Sequence, residues 1–101
     1  MIMIIKLDLY IKTAYMQEDI DTILPLINES IDTKNSVILD FTNIHEYTTS
    51  FFITILSAIL LHMSIDEFDE KYMFYNLSTY GQCLFRRSLK FVTNEELEID
   101  D

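Results

Sequence analysis

The segment Val37-Ile38-Leu39-Asp40-Phe41 decides how the rest of the chain is interpreted. It is apolar on both faces of an extended chain and too short to be a helix of its own, which is typical of a buried strand. We therefore expect a central strand that is covered on both sides. Asp40 ends this strand, where a carboxylate can hydrogen-bond the following loop or serve a ligand site. We favour the structural role for Asp40.

Strand and helix patterns alternate before this segment. Between Ile5 and Ile11 apolar and polar residues alternate, which predicts a first strand with one buried face. From about Gln17 to Thr33 the apolar residues recur at helical spacing, and acids in the first turn suit the helix dipole. Pro25 lies inside this second pattern and removes a backbone donor. We expect a kink or a break of the helix there.

The alternation continues after the central strand. A hydroxyl of Thr48, Thr49 or Ser50 is expected to cap a second helix that runs to about Ser64. The segment 72–75 predicts a third strand, and Ser78 or Thr79 a cap for the last helix. The order β-α-β-α-β-α predicts a single small α/β domain over residues 1–94, with a mostly parallel sheet and right-handed crossovers. Residues 95–101 form an acidic tail.

The charge balance narrows the classes of partner. The chain has 101 residues, 7 Lys and Arg against 17 Asp and Glu, and a formal net charge of −10. Direct binding of nucleic acid or of an anionic membrane needs cations to neutralise phosphate, so both are disfavoured. The apolar run Phe51–Met63 is shorter than the roughly 20 residues of a spanning helix. The first residues lack the basic start of a signal peptide, which predicts a cytoplasmic protein.

Two short stretches carry most of the excess acid. The charged residues that could form an acidic docking surface are Asp66, Glu67, Asp69, Glu70, Glu95, Glu96 and Glu98. In a parallel β-α repeat both stretches follow helices and lie at one pole of the domain, opposite the turn Thr48–Ser50. Two interpretations stay open: a solvated loop with a frayed tail, or a docking surface for a basic partner.

Enzymatic chemistry finds little support in the residue types. Gly81 is the only glycine, so neither a phosphate-binding loop nor a dinucleotide fingerprint is present. His45, Glu46 and His62 lack a third convergent ligand for a metal, and Cys83 lacks a base that would make it a nucleophile. We expect a buried, structural Cys83, no catalytic residue, no metal and no cofactor.

The second helix is apolar nearly all round, which is more than one face of a sheet requires. Either a neighbouring helix covers its second side, or another chain does. In the second case Phe51, Phe52 and Ile55 would form an interface, and the protein would be a homodimer or bind a partner.

Three stretches carry a resemblance to a known family. They are Ser36–Ile44 with its Leu-Asp-Phe strand, the helix start Tyr47–Phe52, and Phe74–Ser78 before a last helix that contains Arg86–Leu89. Over about residues 37–92 the chain resembles the STAS domain, and in particular the short STAS-like bacterial or phage proteins of unassigned function.

The resemblance implies a switching mechanism without catalysis. STAS domains of the anti-sigma-factor antagonist type are phosphorylated on a Ser or Thr at the start of the helix after the central strand, and they bind an ATP-binding, kinase-like regulator there. By position the phosphoacceptor corresponds to Ser50, with Thr49 beside it. A phosphate at a helix N-terminus meets free amide donors and changes an interface by nearly two charges.

Three classes of function therefore compete. The leading hypothesis is a non-enzymatic, STAS-like interaction module that binds a regulator through Thr48–Ser50 and the exposed side of the second helix. The alternative is a small acidic inhibitor, of the kind phages use against host nucleases, whose carboxylates block a basic effector. An enzyme is the third class, and we expect no turnover.

Overall fold

Three parallel strands and four helices follow one another along residues 1–94, the part of the chain that the computed structural model describes. The elements are β1 (Ile2–Lys6), α1 (Gln17–Asp32), β2 (Ser36–Asp40), α2 (Thr49–Leu60), α3 (Ile65–Lys71), β3 (Tyr72–Tyr75) and α4 (Thr79–Val92). This alternation confirms the α/β fold class. The expected acidic tail at residues 95–101 lies outside the described residues.

The strands form one sheet in the order β1-β2-β3, with β2 in the centre as the sequence predicts. Ile4 is paired with Ile38, and Ile38 in turn with Met73, so these side chains share one row and one face. Sequential right-handed crossovers place the connecting helices on the same side of the sheet. In agreement, α2 packs between α1 and α4.

The helices cover only one face of the sheet. On that face Val37 and Leu39 are completely buried. On the opposite face Ile4 is 62% exposed and Tyr75 48% exposed, and Ile38 is only partly buried. The expectation that β2 is covered on both sides is therefore wrong within residues 1–94, because none of their helices crosses behind the sheet.

The first strand begins earlier than the alternation from Ile5 to Ile11 predicts. The strand is Ile2–Lys6, and Leu7–Leu9 forms one turn of 3-10 helix. Leu7 is fully buried and Ile11 nearly so, because the chain turns over the end of the sheet and puts both side chains into the core. The alternation of apolar and polar residues along this stretch thus arises from a 3-10 turn as well as from a strand.

Pro25 does not interrupt α1, which is continuous from Gln17 to Asp32. The proline ring is on the exposed side of the helix, and the missing donor concerns one backbone bond. Ile20, Ile23 and Ile27 are buried on the other side and hold both halves against the core. The cost of one lost hydrogen bond is therefore met by packing on either side of it.

The second helix ends at Leu60, before Ser64, and the acidic segment after it is helical and not a loop. Ser64 accepts a hydrogen bond from the backbone of Glu67, whose carboxylate accepts from the Ser64 N–H. This capping box starts α3. Among residues 1–94 no single helix is long and apolar enough to cross a membrane; α2 and α3 meet that length and composition requirement only as a pair bent by 105°.

Helix α2 is the centre of the core. Phe51, Phe52 and Ile55 are completely buried within the single chain, so of the two alternatives neighbouring helices cover α2, and these three residues do not form an interface. The physical reason is that α1 and α4 flank α2 on both sides while the sheet lies beneath it. The ring of Phe52 is 5.9 Å from those of Phe41 and Tyr47, centroid to centroid.

We predict that Phe52→Ala lowers the free energy of unfolding by about 3–5 kcal/mol, because it leaves a cavity among packed rings. Urea denaturation followed by circular dichroism measures the change. Leu61→Ala serves as the control, since Leu61 is 82% exposed and its truncation should change stability by no more than about 0.5 kcal/mol. A loss similar to that of the control would contradict the packing described.

Candidate functional site

The carboxyl ends of the strands and the first turns of α1, α2 and α4 meet at one end of the molecule, which we call the carboxyl pole. The loop between β1 and α1 is hydrogen-bonded there to the loop between β2 and α2. Ala14 N–H donates to the Glu46 carbonyl at 2.8 Å, and Thr48 N–H donates to the Ala14 carbonyl at 3.0 Å. In open parallel sheets this end is where ligands and partners usually bind.

Thr48 caps α2, and its hydroxyl accepts from Phe51 N–H at 3.2 Å. Thr49 is half-buried, whereas Ser50 is exposed in the first turn of the helix. The cap is therefore one of the three residues that the sequence offers, and it is not Ser50. Ser50 is the second residue of the helix, and its hydroxyl does not serve as the cap.

Asp40 organises the loops at the carboxyl pole. Its Oδ1 accepts from the Thr42 hydroxyl at 2.6 Å, from Thr42 N–H at 2.9 Å and from Asn76 Nδ2 at 2.9 Å. The Thr42 side chain, then Asn76 and the Thr42 backbone, hold the pKa of Asp40 below its usual value. Asp40 thus links the loop after β2 to the loop after β3, which is the structural role favoured for it.

Asp8, in the turn after β1, forms a second set of polar contacts at the carboxyl pole. Asp8 accepts from Asn43 Nδ2 at 2.9 Å, and its other oxygen is 3.8 Å from Lys6 Nζ. Asn43 and Asn76 both have positive φ, 67° and 64°, a backbone region that asparagine tolerates better than most residues. The turns that follow β2 and β3 therefore each place an asparagine amide on an aspartate.

The acidic residues of α3 lie at the opposite end of the molecule, as expected. Asp66, Glu67, Asp69 and Glu70 are all exposed. Lys71 Nζ donates to the carbonyls of Ile31 at 3.0 Å and Thr33 at 2.6 Å and so joins α3 to the end of α1. Glu95, Glu96 and Glu98 lie outside the described residues, so their position beside α3 stays a prediction.

A cleft that the sequence analysis missed opens between α3, β3 and α4. It has a volume of about 320 Å³. The cleft, called the β3 groove below, has aromatic side chains on its floor and charged ones at its rim, and its lining comprises Phe68, Asp69, Tyr72, Phe74, Leu77, Gln82, Phe85 and Arg86. The signal in the sequence was Phe68, a single aromatic residue inside an acidic run, which is buried.

The residues considered for chemistry do not converge. Within residues 1–94 no three His, Cys, Asp or Glu side chains come together as a metal site would require. His45, Glu46 and His62 are exposed. Cys83 is also exposed, so the expectation of a buried thiol is wrong: it lies on the outer side of α4, in a shallow cleft with Arg86, Arg87 and Lys90.

Comparison of the chain with protein-family models, with curated proteins and with solved structures finds no match.

The hydrogen bonds of Asp40 predict a pH-dependent contribution to stability. Because its pKa is lower in the folded than in the unfolded chain, where it is near 3.8, the carboxylate stabilises the fold above that pH. This contribution is lost as the pH falls through the folded pKa. Asp40→Asn should therefore cost about 1 kcal/mol at pH 7 and progressively less below about pH 4.

Urea denaturation of both proteins between about pH 3 and pH 7 measures this difference. Glu29→Gln, on the exposed side of α1, is the control for a carboxylate without such bonds. A difference between wild type and Asp40→Asn that stays constant with pH would contradict the assignment.

The exposed position of Ser50 leads to a separate prediction. A negative charge in the first turn interacts favourably with the helix dipole, so Ser50→Glu should stabilise the protein by about 0.3–1 kcal/mol. Asn28→Glu, exposed near the C-terminal end of α1, adds the same charge without that benefit. Thermal and urea denaturation compare the two variants, and equal stabilities would show that the start of α2 does not favour an anion.

Proposed function

We propose that this chain is a non-enzymatic module that binds another polypeptide. The observation that carries the proposal is the apolar face of the sheet that residues 1–94 leave uncovered, where Ile4, Ile38 and Met73 form one row across all three strands. Parallel sheets normally have both faces covered. An apolar surface that the chain leaves open is typical of a contact with a partner.

The size of this face indicates what kind of contact it can make. With strands about 4.8 Å apart and a rise of about 3.3 Å per residue, the face is roughly 14 Å wide and 17 Å long. Stable complexes between whole proteins bury about 800 Å² on each partner, which is considerably more. The face therefore suits one helix or a short segment of a partner together with the surfaces that adjoin it.

The polar groups around this face support the same function. Lys6 and Asp40 are paired across β1 and β2, in the same row as Tyr75 and on the same face as Ile4. Charged and hydrogen-bonding groups around an apolar centre are the usual composition of a binding surface. The asparagines and aspartates of the carboxyl pole adjoin this row.

A STAS-like switch fits this proposal at Ser50. The hydroxyl is exposed in the first turn of α2, where phosphate would meet free backbone donors. The partner would then be an ATP-binding regulator that recognises the carboxyl pole. The surface proposed for binding differs from the earlier expectation, since the sides of α2 are covered by α1 and α4.

A second candidate function is the acidic inhibitor of a basic effector. The four exposed carboxylates of α3 favour it, because they present like charge over two helical turns. Such a partner would contact α3 and not the open face of the sheet.

Photo-crosslinking from defined positions tests which surface is used. We place p-benzoylphenylalanine at Ile4 on the open face, at Glu70 on α3 and at Leu61 as a control that is more exposed than Ile4, and irradiate cells that produce the protein naturally. We expect an adduct with another protein from position 4 and none from position 61.

The other outcomes are equally informative. An adduct from position 70 alone would replace the proposal by the acidic inhibitor. Adducts of twice the chain mass would identify a second copy as the occupant of the face. Equal adducts from positions 4 and 61, or none from any position, would overturn the proposed function.

A further inference from the structure

The outer strand β3 is short, with four residues, but it lacks the other features that usually protect an edge of a sheet. Its sequence, Tyr72-Met73-Phe74-Tyr75, contains no charge and no proline, and it is paired only with β2. Natural edge strands are normally blunted by lysine, proline, a bulge or a covering element. An unprotected aromatic edge is suited to pairing with another strand.

The hydrogen bonds of β3 show which of its backbone groups point outward. Phe41 N–H donates to the Tyr75 carbonyl at 2.9 Å, so Tyr75 directs its backbone groups toward β2. Backbone direction alternates along a strand, and Met73 therefore also faces β2 while Phe74 faces away. The outward N–H of Tyr72 is used by the Phe68 carbonyl. Phe74 thus presents one donor and one acceptor at the free edge.

The β3 groove adjoins this edge on the side of the helices. Its floor contains Phe74 and Phe85, whose ring centroids are 4.6 Å apart. Asp69 of α3 and Arg86 of α4 line its two walls. Within residues 1–94 the one ion pair joins Lys6 to Asp8, so these two groups are not paired with each other. Their charges are available to a bound segment.

We infer that β3 and its groove bind an extended segment of a partner protein by strand addition. The segment exchanges backbone hydrogen bonds with Phe74, inserts an apolar side chain into the groove and places a basic side chain two residues away near Asp69. Side chains of an added strand alternate, so residues two apart face the same side. This inference rests on the proposed function and adds the β3 edge with its groove, on the side of the helices, to the open face as a second contact surface.

Charge complementarity favours a basic segment. The chain carries a net charge of −10, and Asp69 belongs to the four exposed acids of α3. A second copy of the chain fits less well, because both copies would carry the same excess charge. A four-residue edge is also only about 13 Å long and offers far less contact than the 800 Å² or so that each partner buries in a stable complex.

The test uses a synthetic peptide, acetylated and amidated, of sequence Thr-Lys-Thr-Phe-Thr-Lys-Thr, in which lysine and phenylalanine share one face. It is titrated into the isotope-labelled full chain, and backbone amide shifts are followed by NMR to about 1 mM peptide. We expect saturable shifts at the Phe74 and Gln82 amides and none at Thr22, on the exposed side of α1. Absence of saturable shifts at Phe74 would overturn the inference.

Charge reversals test the groove without disturbing the core. Asp69→Lys should weaken peptide binding about three- to tenfold, and Arg86→Glu should strengthen it by a similar factor. Glu29→Lys and Arg87→Glu make the same changes of net charge outside the groove and should alter affinity much less. Equal effects of groove and control variants would show only general attraction and would overturn the assigned position.

N-methylated peptides test the backbone bonds. In either strand direction only every second peptide amide faces β3. Two peptides are compared, one N-methylated at the phenylalanine and one at the following threonine. One of the two methylations should abolish binding, and the other should leave it unchanged. Tolerance of both would rule out strand addition. If position 4 still yields a partner adduct while the peptide does not bind, only this inference fails and the proposed function stands. If the Phe74 amide shift changes with protein concentration in the absence of peptide, the strand that pairs with β3 is that of a second copy of the chain, and the inferred partner segment is wrong.

Discussion

The burial of α2 is the constraint on which the rest of the structure depends. This helix is apolar on nearly every side, and a helix of that kind is stable only when each side is in contact with another element. The sheet, α1 and α4 supply these contacts. Phe41 in the loop after β2 meets Phe51 and Phe52 of α2 and also Phe74 of β3, so one aromatic cluster joins the sheet to the helix layer.

This arrangement also explains why the sheet is open on one side. With three strands in sequential order, the right-handed crossovers that parallel strands normally have leave all helices on one face, where they enclose α2. Residues 1–94 hold no further helix for the other face. The apolar row across that face is therefore a direct result of the topology. A chain whose strand order changed direction within the sheet, for example β2-β1-β3, would instead have distributed its helices over both faces.

The sequence predicted the parts of the fold in which pattern and packing agree. The segment around Leu39 is central, and Ser78 caps the last helix as expected, since its hydroxyl oxygen accepts from Gly81 N–H at 3.0 Å. The pattern failed where the same periodicity has two explanations. The alternation at Leu7 arises from a 3-10 turn, and a single buried Phe68 turns an acidic run into a packed helix. A strand sequence that is apolar on both faces also does not show whether the second face is covered by the same chain or by another molecule.

The candidate site was less accessible to sequence reasoning than the fold. The position of Ser50 in a first turn and the loop-forming role of Asp40 could be predicted, because both depend on neighbouring residues. The β3 groove could not, because its walls come from α3 and α4, and Asp69 and Arg86 are brought together only by the tertiary packing. The residue pattern within one helix or strand does not show how far that element lies from another one.

The pairing pattern of the strands has a consequence for synthesis on the ribosome. β1 and β3 each pair only with β2, over separations of more than 30 residues: Ile2 is paired with Ser36, and Val37 with Tyr72. β1 and β2 can therefore associate while β3 is still being made. During that interval α2 has emerged without α4, and Phe52 lacks its contact with Phe85. The nascent chain thus passes through a stage with an exposed aromatic helix, where a chaperone that binds apolar segments would act.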